Sequence, residues 1–63
     1  MDVEFSELHQ SICNTISKHK NGILIDKISD EVKLTVPKVN EIISELVIYG
    51  IVEETVSGYK LRN

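Results

Sequence analysis

The chain contains few of the residues that usually reinforce a very small protein. Cys13 is the one cysteine among 63 residues, so an internal disulfide is impossible and a cysteine-built metal site is not expected. There is no tryptophan, and aromatic residues make up 5% of the chain. The core must therefore be built from aliphatic side chains, and isoleucine and valine are plentiful.

Long apolar runs and the features of a targeting segment are also missing. No stretch approaches the length of a membrane span, and the N-terminus lacks the charged-then-apolar pattern of a signal peptide. We therefore expect no membrane partner and a cytoplasmic, reducing setting.

The short length limits the chemistry that the chain can perform. Residues 1–63 are expected to form a single domain, which buries only about 60% of its unfolded surface and has no room for a large catalytic cleft. Ser-His-Asp spacing, glycine-rich phosphate loops and paired catalytic carboxylates are not visible. His9 and His19 have no companion ligands at metal-binding spacing. We expect no enzyme, metal, cofactor or small-molecule substrate.

The charge distribution is uneven. The formal net charge of −3 argues against a general nucleic-acid coat, which would be strongly basic. Between residues 18 and 38, however, five lysines outnumber three acidic residues. A local basic zone is therefore possible on an otherwise acidic protein.

Apolar spacing predicts two helices and a short extended link in the first half of the chain. Residues from about 4 to 19 should form an amphipathic helix, ended by Asn21-Gly22. Ile23-Leu24-Ile25 is too short for a helix and predicts a small strand or extended link. Asp26 is a suitable N-cap for a second, short helix. The expected buried positions of the two helices are Phe5, Leu8, Ile12, Ile16, Ile28 and Val32.

The second half predicts a third helix and a hairpin. Thr35 is a suitable N-cap for a helix over 35–49, and Pro37 falls in the first turn, where its missing N–H has no cost. Gly50 supplies a left-handed position at the end of this helix. Strands over about 51–55 and 59–62 should be joined at Ser57-Gly58. The expected inward-facing residues are Leu34, Val36, Val39, Ile43, Leu46, Tyr59 and Leu61, with Lys60 and Arg62 facing water.

From Gly22 to Arg62 the chain resembles the winged helix-turn-helix superfamily. The resemblance is carried by Ile23, Ile25, Ile28, Val32, Leu34, Thr35, Val39, Ile43, Leu46, Gly50, Ile51, Val52, Gly58, Tyr59, Lys60 and Leu61. The run from Ile25 to Tyr59 is also similar to the C-terminal winged-helix domain of DprA-type DNA-processing proteins. The resemblance implies a mainly α fold with a small β-hairpin, in the order α-β-α-α-β-β. Most members bind double-stranded DNA through the third helix, whereas a minority bind proteins or dimerise.

The outward face of the third helix carries the candidate DNA-binding residues. Side chains able to read base edges in the major groove are Thr35, Lys38, Asn40 and Ser44. Contacts to phosphates would come from Lys33, Lys27, Lys60 and Arg62. Glu41 and Glu45 on the same face oppose DNA binding. The alternative is that these lysines are ordinary solvated surface residues.

Three apolar residues, Val47-Ile48-Tyr49, close the third helix. Helical geometry places Val47 and Tyr49 at the borders of the core stripe but points Ile48 away from it. Ile48, with Tyr49 and Val52, is therefore a candidate interface for a second copy or another protein. The alternative is one scattered exposed aliphatic residue, which is normal on protein surfaces. Of the two functions, we prefer DNA binding as a small transcription regulator or as a module of a larger DNA-processing protein.

Overall fold

The computed structural model of the protein describes residues 6–62. In chain order these residues form α1 (Glu7–Ser17), α2 (Ile25–Val32), α3 (Val36–Ile48), β1 (Val52–Thr55) and β2 (Gly58–Leu61). The two strands make an antiparallel hairpin in which Val52 lies opposite Leu61 and Thr55 lies opposite Gly58. The predicted mainly α chain with a C-terminal hairpin is confirmed at this level.

Helix α1 begins at a side-chain cap and buries a face that differs from the predicted one. The Ser6 hydroxyl accepts a hydrogen bond from the His9 N–H at 3.4 Å. Ile12 and Ile16 are buried as expected, but Leu8 is exposed and His9 is buried in its place. The buried face is rotated because His9 is turned towards α3, where it has a polar partner. The predicted role of Phe5 lies outside the described residues.

The link between α1 and α2 is shorter than the predicted strand. Ile23 alone pairs with β2: its N–H donates to the Tyr59 carbonyl at 2.9 Å and its carbonyl accepts from the Tyr59 N–H at 2.8 Å. Ile25 already belongs to α2, so its assignment to the small strand or extended link was wrong. Asp26 was also wrong as the N-cap, because Leu24 occupies that position and Asp26 lies in the first turn. There the carboxylate interacts favourably with the helix dipole.

A tight turn connects α2 to α3. Lys33 has a left-handed backbone with φ of 59°, although it is not glycine. The Ser29 hydroxyl donates to the Leu34 carbonyl, and the Leu34 N–H donates to the Ser29 carbonyl. Thr35 caps α3 by accepting from the Lys38 N–H, and Pro37 lies in the first turn. The predicted cap and start of the third helix are therefore confirmed.

The core lies between the three helices and the hairpin. Strand β2 packs mainly against α1, and β1 packs against α3. Ile42 is buried although it was not predicted to be, whereas Val36 is more exposed than predicted because it lies at the free end of α3. The buried apolar residues are Ile12, Ile16, Ile23, Ile28, Val39, Ile42, Ile43, Leu46 and Val52.

Two glycines have positive φ at turns of the chain, and one of them also permits a close approach between segments. Gly50 has φ of 79° and ends α3, as predicted. Gly58 has φ of 118°, and a Cβ atom there would lie 2.4 Å from the Ile23 carbonyl oxygen. A side chain at residue 58 would therefore prevent the bridge between Ile23 and Tyr59. Within residues 6–62, no helix combines the length and apolar character needed to cross a membrane.

Candidate nucleic-acid interface

The N-terminal half of α3 presents a row of exposed side chains. Val39, Ile43 and Leu46 bury the opposite side of the helix and so fix which side faces outward. The exposed residues of this half are Thr35, Val36, Pro37, Lys38, Asn40, Glu41 and Ser44. All four predicted base-reading residues therefore lie on the accessible side of α3. We call Thr35, Lys38, Asn40 and Ser44 the α3 polar face.

Some groups of the α3 polar face already have partners within the helix. Lys38 Nζ lies 3.6 Å from Glu41 Oε1, and both side chains are largely exposed. The Ser44 hydroxyl donates to the Asn40 carbonyl at 2.9 Å, and the Thr35 hydroxyl caps the helix. An exposed ion pair of this kind contributes about 0–1 kcal/mol, so a stronger ligand can displace it. The Lys38 ammonium and the Asn40 side-chain amide are the groups best able to read a base edge.

Glu45, which was expected on the outward face, is only partly exposed because its carboxylate contacts His9 of α1. Its carboxylate Oε1 is 2.5 Å from Nε2 of His9, and only part of the residue is exposed. His9 is 8% exposed, and its Nδ1 lies 2.8 Å from the Ser6 hydroxyl. Glu45 is thus directed towards α1. The two acidic residues expected to oppose DNA binding both have partners, Glu41 with Lys38 and Glu45 with His9.

Two further exposed lysines lie on α2 and in the turn that leads into α3. Lys27 is exposed on α2, and Lys33 is exposed in the turn that leads into α3. Neither ammonium group forms an ion pair with any residue between 6 and 62. Both cations therefore remain available for an anionic ligand.

The hairpin residues that were predicted to contact phosphates lie on a different part of the molecule. Lys60 belongs to β2 and Arg62 follows it. Strand β2 packs mainly against α1. Lys60 Nζ is 3.8 Å from Glu53 Oε2, whereas Arg62 is exposed. Lys60 also borders a shallow groove of about 360 Å³. This α1–β2 groove is lined by Ile16, Ser17, His19, Lys20, Lys60 and Leu61.

The end of α3 is apolar and accessible. Ile48 is 79% exposed, Tyr49 46% and Val47 41%. Val47 was expected to cover the core but is more exposed than that position implies. Val52 is 1% exposed and belongs to the core, so its assignment to a surface patch was wrong. Its side chain is on the face of β1 that packs against the helices. The α3 C-terminal patch consists of Val47, Ile48 and Tyr49.

The remaining reactive side chains are not grouped into a site. Cys13 is half-buried, and this burial raises the pKa of its thiol. His19 Nε2 lies 3.5 Å from Glu31 Oε2, at the half-buried helix end predicted for it. In the part of the chain that the structure describes, no three His, Cys, Asp or Glu side chains converge in a way that could hold a metal ion.

Comparisons with protein-family models, curated proteins and solved structures find no match to this chain. The winged-helix resemblance and the predicted functions therefore stay predictions. Support for a function comes from the geometry of residues 6–62 and from the sequence.

Proposed function

We propose that the chain is a winged helix-turn-helix domain that binds double-stranded DNA, with α3 in the major groove. The observation that carries the proposal is the exposed α3 polar face, together with the exposed cation of Lys33 in the turn before it and that of Lys27 on α2, neither of which has an ion pair within residues 6–62. The tight turn at Lys33 and the hairpin after α3 also agree with this fold class.

The side chains of the α3 polar face suit recognition of base edges. An Asn amide can bind the N6 and N7 positions of adenine, and a lysine ammonium can bind the O6 and N7 acceptors of guanine. Asn40 and Lys38 supply these two groups on neighbouring parts of the first turns of α3. Glu41 would then release Lys38 and either face solvent or accept a hydrogen bond from a cytosine amino group. Glu45 is engaged by His9, although its side chain stays partly exposed.

The phosphate contacts are few, so binding by one copy should be weak and sensitive to salt. Lys33 is exposed in the turn that leads into α3, and Lys27 is exposed on α2, the helix before that turn. About two such contacts predict a modest salt dependence, with log K falling by about 0.9 per contact for each unit of log salt. A second copy or a further domain would be needed for tight binding at physiological salt.

An NMR titration with a mixed-sequence duplex at low salt tests the proposal. We expect the amide signals from Val36 to Ser44 to shift most. Lys38→Ala and Asn40→Ala should each weaken binding by about fivefold to a hundredfold, the range of a base contact. Lys18→Ala is the matched control because it removes an exposed lysine at the end of α1. Equal weakening by Lys38→Ala and Lys18→Ala, or unshifted α3 amides, would contradict the proposed interface.

A second candidate function is contact with another protein through the α3 C-terminal patch. The observation that favours it is the exposure of three consecutive apolar residues, with Ile48 at 79%. Fully burying an isoleucine side chain contributes about 1.5–3 kcal/mol, which is large for an interface of this size.

Sedimentation of the wild type and of Ile48→Asp over a wide concentration range tests self-association through this patch. We expect Ile48→Asp to shift the equilibrium to monomer while its thermal unfolding stays unchanged, because Ile48 is not in the core. Val56→Asp is the control, since Val56 is fully exposed at the hairpin tip. A wild type that stays monomeric at millimolar concentration would exclude dimerisation through this patch.

A further inference from the structure

The α1–β2 groove combines an apolar floor with a cationic border. Ile16 is buried and Leu61 is half-buried, so their side chains form the base where α1 meets β2. His19, Lys20 and Lys60 supply the polar lining, and no carboxylate from residues 6–62 lines the groove. A concave site with an apolar surface and a few convergent polar groups is the usual form of a ligand site.

The three polar side chains differ in whether they already have an ion-pair partner. Lys20 forms no ion pair with any residue in the described range 6–62. Lys60 is paired with Glu53 at 3.8 Å, and His19 is paired with Glu31 at 3.5 Å, in both cases between partly exposed side chains. Exposed pairs at these distances are weak, so an incoming anion can replace the carboxylate partner of Lys60.

The charges around the groove favour one isolated negative charge over a polyanion. Glu31 and Glu53 lie just outside the lining, next to His19 and Lys60. A nucleic-acid backbone carries a phosphate at every nucleotide, so phosphates next to a bound one would approach these carboxylates. A single carboxylate on an apolar segment avoids that repulsion and can place its apolar neighbours against Ile16 and Leu61.

We propose that the α1–β2 groove binds a short acidic and apolar peptide segment of a partner protein, with Lys20 and Lys60 holding one carboxylate. This site is separate from the α3 polar face and does not depend on DNA binding there. The lysine ammonium groups donate to the carboxylate, while the lysine stems and the floor cover the apolar side chains. The domain could then hold duplex DNA and a protein partner on different surfaces.

Titration of the labelled full chain with two synthetic probes tests this site by NMR. The first probe is the acetylated and amidated tripeptide Leu-Glu-Leu, and the second replaces its glutamate with glutamine. We expect the first probe to shift the amides of Ser17, His19, Lys20, Lys60 and Leu61, and the second to bind at least about fivefold more weakly. Equal binding of the two probes, or unshifted groove amides at several millimolar of the first, would overturn the proposal.

Variants and a duplex control separate this site from the DNA interface. The double variant Lys20→Gln with Lys60→Gln should weaken the first probe by about fivefold, whereas Lys27→Gln, an exposed lysine outside the groove, should not change it. A folded variant should show the same amide chemical shifts as the wild type at residues away from the substitution. Larger shifts of the groove amides with a mixed-sequence duplex than with the peptide would overturn the proposal in favour of nucleic acid. The shifts of the α3 amides on addition of the duplex test the proposed DNA interface, and they do not depend on the result at the groove.

Discussion

His9 of α1 and Glu45 of α3 are joined by a hydrogen bond, with 2.5 Å between Nε2 of His9 and Oε1 of Glu45. The bond joins α1 to α3 at the residue that follows Ser44, the last residue of the α3 polar face. It also engages the Glu45 carboxylate, although the Glu45 side chain remains partly exposed. One contact therefore bears on both the packing of the helices and the charge of the proposed DNA interface.

Removing the Glu45 carboxylate should destabilise the fold. His9 is buried, so Glu45→Ala leaves a polar ring without this hydrogen-bond partner, and we expect a loss of about 1 kcal/mol in the free energy of unfolding. The value is below that of a fully buried pair because the Glu45 side chain is 45% exposed and water can partly replace it. Urea denaturation followed by circular dichroism measures the change.

Glu41→Ala is the matched control for that experiment. It removes the same side chain from the same helix, so the two variants share the same change in helix propensity. The Glu41 pair with Lys38 is exposed, and we expect a loss below about 0.5 kcal/mol. If Glu41→Ala lowers the free energy of unfolding as much as Glu45→Ala does, the contact of Glu45 with His9 contributes no more to stability than the exposed ion pair of Glu41.

Gly58 should tolerate no side chain. In Gly58→Ala the new Cβ would meet the Ile23 carbonyl group at 2.4–2.5 Å, in a backbone conformation that alanine rarely adopts. We expect a loss of about 3 kcal/mol or more and a large fall in the thermal midpoint. Gly50→Ala is the control because no atom lies within 4 Å of its Cβ, so only the cost of about 1 kcal/mol for positive φ applies. Equal midpoints for the two variants would disprove the close approach at Gly58.

Lys33 should show opposite effects on stability and on DNA binding. Because its φ is 59°, Lys33→Gly removes a strained conformation, and it should be more stable than Lys33→Ala by about 1 kcal/mol. Both variants lose the same cation, so both should bind the duplex more weakly. The slope of log K against log salt concentration (the salt slope) should become smaller in magnitude by about one in both. Thermal unfolding and fluorescence anisotropy at several salt concentrations give the two quantities. Unchanged salt slopes in both variants would exclude Lys33 as a phosphate contact.

Stability should fall in alkaline solution before the lysines titrate. Burial raises the pKa of the Cys13 thiol. Burial, and to a smaller extent the negative charge of Glu54, raises the pKa of the Tyr59 hydroxyl. Above about pH 8.5 the unfolded chain releases the thiol proton while the folded chain keeps it. The unfolded state then binds fewer protons, so the free energy of unfolding decreases as the pH rises.

Urea denaturation of the wild type and of Cys13→Ala between pH 7.5 and 9.5 isolates the thiol. Cys13→Ala changes the packing at all pH values, but its stability should depend less on pH within this window. Tyr59 contributes a further decrease from about pH 10 in both proteins. Identical slopes for the two proteins between pH 7.5 and 9.5 would contradict a thiol that stays protonated in the folded state.

The sequence gives the best account of α3 because its signals are local. The hydroxyl of Thr35, the position of Pro37 in the first turn and the left-handed Gly50 each act within a few residues, so they fix the start and end of the helix in any tertiary context. The exposure of Lys38 and Asn40 follows from the same periodicity. The candidate base-reading residues could therefore be predicted.

Errors arose where a distant segment decides the outcome. Glu45 was placed on the outward face by helical angle, but His9, 36 residues earlier, draws it towards α1. Ile25 was assigned to a strand, but the single bridge between Ile23 and Tyr59 ends the extended segment and lets α2 begin at once. No signal near these residues in sequence reveals such partners.

The amino-acid sequence by itself determined the three helices, the hairpin and the accessible polar face of α3, because caps, turn residues and apolar periodicity act over short distances. Only the tertiary structure decided which side of α1 is buried, that Val52 belongs to the core, and that Lys60 borders a groove beside α1. These outcomes depend on which segments pack together, because burial of apolar area is shared between segments far apart in the sequence.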